Sequence, residues 1–163
     1  MKTQLHGESQ AYSAHATIAT LTGKATLDYS NLDLVERIQK KLELPADQAE
    51  LLFKDLIKFL SLCAFRLDDN RAPLVPPKKI DEAWHHFLLF TQEYEVFCET
   101  FFGAFVHHQP STSKTPLRGN RIADTINLAK LIYGELSENW STTWLTDVAS
   151  CGGGTTNCQV CYK

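Results

Sequence analysis

The stretch that decides the fold is Pro77–Pro110, PKKIDEAWHHFLLFTQEYEVFCETFFGAFVHHQP. At about 100° per residue, Leu88, Thr91, Cys98 and Phe102 all fall within roughly 40° of Trp84, so one face stays apolar from Ile80 to Gly103. Gly103 stops the helical pattern, and Ala104 to Pro110 reads as an exit loop carrying His107 and His108. Thr91 followed by Gln92 and Glu93 also suits an N-cap with an acidic first turn, so two shorter helices with a bend at Phe90-Thr91 are an equal reading.

Working outward, Leu32, Val35, Ile38 and Leu42 recur at helical spacing behind Ser30 or Asn31, either of which can cap. Pro45 suits the first turn of a second helix, where Ala49, Leu52, Phe53, Leu56, Phe59, Leu60 and Cys63 form a wide apolar stripe. Asp68-Asp69-Asn70 and the two prolines at 76 and 77 mark the loop that ends it. Polar residues 111 to 120 make a linker. Beyond it, Ile122, Ile126, Leu128, Ala129, Ile132 and Tyr133 face inward, with Trp140 and Trp144 packing against them. No strand pattern competes, and the reading is an all-α bundle of four to five helices. A low-order arm (1–28) precedes the helical domain (29–146), and a flexible Cys/Gly-rich tail (147–163) follows it.

The 163 residues are 44% apolar, 21% charged and 10% aromatic, which is one domain's worth of core and excludes wholesale disorder. Sixteen basic against nineteen acidic side chains leave a net charge of −3, so no nucleic-acid partner is expected. Apolar runs such as Phe87–Phe90 are far shorter than the roughly 18 residues of a membrane span. Residues 1–23 mix Gln, His, Glu, Ser and Thr where a secretory signal needs an apolar run, so a cytoplasmic protein is expected. Five cysteines are unevenly spread: Cys63 and Cys98 lie in apolar sequence, whereas Cys151, Cys158 and Cys161 crowd the end. An odd count without an export signal argues against a disulfide framework and for reduced thiols, with ligation or redox use falling to the terminal three.

Asp81 and His85 are four apart, so on a helix they meet on one face as two metal ligands, or as a carboxylate orienting a ligand imidazole. His108 or His107 from the loop, and Cys98, are candidates to complete the set. Asp, His, Cys and His together suit zinc better than magnesium or calcium. On one straight helix His85 and Cys98 would lie roughly 20 Å apart along the axis, so Cys98 can join only if the chain reverses. His85 and His108 are therefore the leading ligands. Each has a plainer reading: Asp81 as an N-cap, His85 as a packed polar group and Cys98 as a small core residue; His86, on the opposite side, reads as solvated, and His107 is the weaker of the loop pair. Trp84 reads as core, its indole N–H seeking an acceptor.

Ile80, Asp81, Ala83, Trp84, His85, Tyr94, Cys98, Gly103, His108 and Pro110 resemble the pattern of the glycine-rich domain-containing protein-like family, which includes short bacterial members with a Gly/Cys-rich end. That pattern has Ile or Val and Asp before Ala or Val, Trp and His, then Tyr, Cys, Gly and a final His before Pro. The motif block covers 77–110, and with its flanks the resemblance covers about 29–146. Many members read Trp-His-x-His, whereas Phe87 stands at the second histidine position here. The resemblance implies no established activity.

The tail holds one C-x-x-C, Cys158 to Cys161, with Cys151 seven residues earlier. Three thiols are one short of a usual structural zinc site, so this tail reads as a thiophilic-metal site, a contribution to a partner's site, or the target of a modifying enzyme. Three functions follow: a zinc-binding helical protein acting as a binding module, a metal-dependent hydrolytic enzyme with an open site at the same residues, or a carrier engaging a protein partner through its helices or tail. No P-loop, dinucleotide-binding, nucleophile-elbow or zinc-protease string occurs.

Overall fold

The computed structural model describes residues 26–66, 73–110, 121–142 and 158–162. Its helices are α1 (Leu32–Lys41), α2 (Ala46–Arg66), α3 (Lys78–Leu88), α4 (Thr91–Phe102) and α5 (Arg121–Tyr133), with a 3₁₀ turn at Glu138–Trp140. The strands β1 (His107–Pro110) and β2 (Cys158–Tyr162) form one antiparallel ribbon. The architecture is the all-α bundle expected from periodicity, with this ribbon added.

Each boundary has a local cause. The Asn31 side chain accepts from Leu34 N and caps α1, and Lys40 and Lys41 in its last turn complement the helix dipole. Two prolines precede α3, whose first helical turn carries Asp81. The chain breaks after Leu88, where the Leu89 and Phe90 amides bond back to His86 and Phe87. The structure therefore takes the bent reading of the central stretch. Thr91 is the first residue of α4 rather than its cap, and Phe90 fills the cap position without a side-chain bond. Gly103 ends α4 at φ 65, a left-handed conformation that glycine adopts without the strain a Cβ would bring.

The core is continuous. Leu52, Phe53, Leu56, Phe59 and Leu60 of α2 pack with Leu34 and Ile38 of α1 and with Ile80, Ala83, Trp84 and Phe87 of α3. Tyr29 lies 4.7 Å from Phe97 and 6.0 Å from Phe53, ring centre to ring centre, which holds the chain before α1 against α4 and α2. At the end of the stretch expected as a low-order arm, Thr26 is helical, buried and hydrogen-bonded to Ser61, while residues 1–25 lie outside the described residues. Cys63 is buried in this core as expected and is in addition disulfide-bonded, unlike the reduced thiol read from the sequence. Asp68–Asn70, the 111–120 linker and Trp144 lie outside the described residues.

Buried polar groups join distant segments. The Val75 amide donates to Thr125 Oγ1, whose hydroxyl donates to Arg121 O, pinning α5 to the segment before the two prolines. Asp55 is fully buried on α2 and accepts from Ser137 Oγ and Asn139 Nδ2, with Lys58 Nζ at 3.4 Å. Asp55→Asn keeps the shape but removes the charge these donors converge on. Its unfolding midpoint in urea is expected to fall by the equivalent of about 1–2 kcal/mol, the scale of weakening hydrogen bonds to a charged group.

Candidate metal centre

Three side chains from two elements meet along one face of α3. Asp81 and His85 stand one turn apart on α3, and His108 arrives from β1. One ligand atom from each lies within 4.8 Å of the others. Burial is graded across the three: the His108 side chain is 4% exposed, Asp81 15% and His85 42%. The group is therefore anchored at one side and open to solvent at the other.

The hydrogen bonds assign the protons. His85 Nδ1 lies 2.7 Å from the Asp81 backbone carbonyl, which can only accept, so Nδ1 carries the proton and Nε2 keeps its lone pair. With Nε2 as the ligand atom, a backbone carbonyl on the other nitrogen is the usual support of a ligand histidine; Nδ1 itself lies 3.7 Å from Asp81 Oδ2. His108 Nε2 donates to Asp81 Oδ1 at 2.9 Å. Two atoms bound tetrahedrally to one zinc at ordinary bond lengths stand roughly 3.4 Å apart, so this pair needs to open by only about half an ångström to admit an ion. Asp81 is not the N-cap of its helix; Pro77 holds that place.

The rest of the motif positions His108. Trp84 Nε1 donates to Tyr94 Oη at 3.0 Å, and Tyr94 Oη donates to the Val106 carbonyl at 2.6 Å. This relay ties α3, α4 and the lead into β1 together, two residues before His108. The Trp84 ring also meets the His108 ring edge-on at 4.3 Å, and the two histidine rings are 4.5 Å apart. Burial keeps the Tyr94 hydroxyl protonated, far above its ordinary range.

Cys98 is fully buried and does not join the group. It lies one turn beyond Tyr94, its thiol bonded to Tyr94 and to the Val106 backbone, and burial pushes its pKa up. His107 falls on the neighbouring strand position, its ring against Phe105 at 4.7 Å. Of the tail cysteines, the described backbone includes two: β2 pairs with β1 so that Cys161 opposes His108 and Cys158 opposes Pro110, while Cys151 lies outside the described residues.

One group escaped the sequence reading. His86, expected to be solvated, has a buried Nδ1 with no hydrogen-bond partner, and so does Nε of Arg37 on α1. The spacing of Arg37 and Lys41, four apart and one helix away, carried that signal.

Among proteins compared, a family model described as UCP032817-like matches residues 25–125, well over half of the chain. No curated protein and no solved structure matches. The match overturns the resemblance to the glycine-rich domain-containing protein-like family. The residues that carried that resemblance instead have local work, building the Trp84–Tyr94–Val106 relay and the Asp81–His108 contact.

Proposed function

Because the chain belongs to the UCP032817-like family, whose description names no reaction, we propose its function from the site alone: a zinc-binding helical protein whose ligands are Asp81, His85 and His108. The observation that carries this is the convergence of the three ligand atoms within 4.8 Å, with the His85 tautomer already set by the Asp81 carbonyl. Two imidazoles and one carboxylate form a set that zinc takes in open sites, where three protein ligands leave a fourth position for water or substrate. The same set suits ferrous iron, so the donor atoms alone do not choose between them. An ion here would lower the pKa of a bound water and supply hydroxide near neutral pH.

The register of the ribbon favours a second reading. The backbone register pairs Cys161 with His108. A thiolate ligand from this strand would close the fourth position and make the site structural, a role in which zinc usually has four protein ligands.

Elemental analysis of the full chain, purified without a metal-affinity tag and kept under a thiol reductant, tests both. About one zinc per chain is expected, lost in His85→Ala and His108→Ala. Iron in place of zinc would change the metal but keep the site; no metal in any sample overturns it. Cobalt substitution separates the readings, because a Cys161 ligand gives an intense thiolate-to-cobalt absorption that Cys161→Ser abolishes, and an open site gives none.

A further inference from the structure

Beside the three candidate ligands the fold gathers basic side chains from two helices. α1 packs against α3 and carries Arg37 and Lys41 on adjacent turns; α3 ends in His85 and His86. Lys40, the other base in the last turn of α1, is taken up by Glu36 at 3.0 Å. Around His86 stand Arg37 and Lys41 from α1 and His85 from its own helix.

Two atoms in this cluster lack partners. Arg37 Nε and His86 Nδ1 are both shut off from water and make no hydrogen bond. A buried polar atom left unpaired costs stability, and native folds keep few of them unless a ligand supplies the missing partner. Both residues are only half-buried, so the space next to them is reachable from solvent. The guanidinium N–H asks for an oxygen acceptor, the imidazole Nδ1 asks for the same in the tautomer that places its proton there, and the neighbouring cationic side chains ask that the acceptor be negative.

We propose that Arg37, Lys41 and His86 form an oxyanion-binding patch that takes a phosphate or carboxylate group next to His85. His86 is the immediate chain neighbour of His85, the most exposed of the three candidate ligands, so an anion held here lies at the next position around α3, about 100° from the ligand side chain. In its relation to the metal the inference rests on the reading above, and it gives that reading a substrate class: an oxyanion-bearing molecule oriented by the patch, its acidic group reaching toward the fourth coordination position. The patch itself stands on residues that are not ligands, so it is testable with and without metal.

Titration calorimetry of the full chain at low salt, using inorganic phosphate and, separately, acetate, provides the test. Binding of one or both is expected without metal and is expected to tighten once zinc is loaded, with the tighter anion naming the chemistry. Arg37→Met is expected to weaken it about tenfold, the scale of one lost hydrogen bond to a charged group, and Lys41→Met by a smaller factor. Lys40→Met, which removes an ammonium already paired, is expected to change nothing, and added salt is expected to weaken binding in step with screening. Because Arg37 Nε has no partner to lose, Arg37→Met is expected to melt no lower than the parent; if it fails to fold, Lys41→Met carries the test alone. Zinc that binds normally while neither anion binds in an Arg37- or Lys41-dependent way overturns the patch and leaves the metal reading standing. Anion binding that depends on Arg37 in a chain that takes up no zinc does the reverse.

Discussion

Trp84→Ala is expected to lower the stability of this protein by about 3–5 kcal/mol, the scale of emptying a large aromatic site in a packed core. Trp84 is fully buried and meets Phe59 edge-on at 5.6 Å and His108 at 4.3 Å. Removing the indole takes away that packing and also the N–H that donates to Tyr94. A domain of this size is stable by about 5–15 kcal/mol in total, so the variant is expected to be near its unfolding threshold at room temperature. Urea unfolding is the measurement, with a lowered midpoint and an unchanged slope marking a loss of native-state interactions. Trp84→Phe separates the two contributions: the ring largely remains and the N–H goes, so a loss of about 1–2 kcal/mol is expected. A Trp84→Ala chain that unfolds within about 1 kcal/mol of the parent would contradict the packing of α3 on α2 and β1.

The same residue shows how far the sequence could be read. Its place in the core follows from spacing alone, because Trp84 shares a helical face with Leu88, and the break after Leu88 was visible as Thr91-Gln92-Glu93 following an apolar run. The meeting of Asp81 with His85 follows from a four-residue spacing, and the return of His108 from a glycine stop and a short exit segment. Cys98 was harder, since the bend shortens its distance from His85 without saying which way the thiol points; the structure bonds it to Tyr94 and Val106 instead. The β1–β2 ribbon was not legible. Strands of four and five residues separated by nearly fifty carry no periodic signal, and their pairing is decided by where the bundle brings the chain. The long-range polar contacts were hidden for the same reason. Asp55 sits on the apolar stripe between Leu52 and Phe59, which was a signal of burial, but its partners Ser137 and Asn139 lie over eighty residues away. Arg37 and His86 illustrate the limit differently, since an unpaired atom can be recognised only when its surroundings are known.

Zinc is expected to raise the melting temperature of the full chain by roughly 5–10 °C at a hundredfold excess over its dissociation constant, where binding to the folded state alone is worth about 2.7 kcal/mol. The two histidine variants are expected to part company before any metal is added. His108 is almost wholly buried, bonded to Asp81 and packed on Trp84, so His108→Ala is expected to lower zinc-free stability by about 1–3 kcal/mol, from an unpaired carboxylate and lost packing. His85 is far more exposed and its Nδ1 partner is a carbonyl already inside a helix, so His85→Ala is expected to leave the zinc-free melt nearly unchanged. Adding zinc should then stabilise neither variant. Asp81→Asn divides the roles again: the amide oxygen can still accept from His108 Nε2, so the zinc-free fold is retained, while the loss of negative charge weakens the zinc increment. That increment should also shrink on acidification, because each ligand must release or lack a proton to bind the ion, and His108 Nε2 gives up the proton it donates to Asp81. A metal-free role for the triad predicts the same zinc-free pattern, in which His108→Ala destabilises and His85→Ala does nothing, but there zinc shifts no melting curve, the parent's included. The zinc increment of the parent, absent in the stably folded His85→Ala chain, therefore separates ligation from packing in a single set of thermal melts.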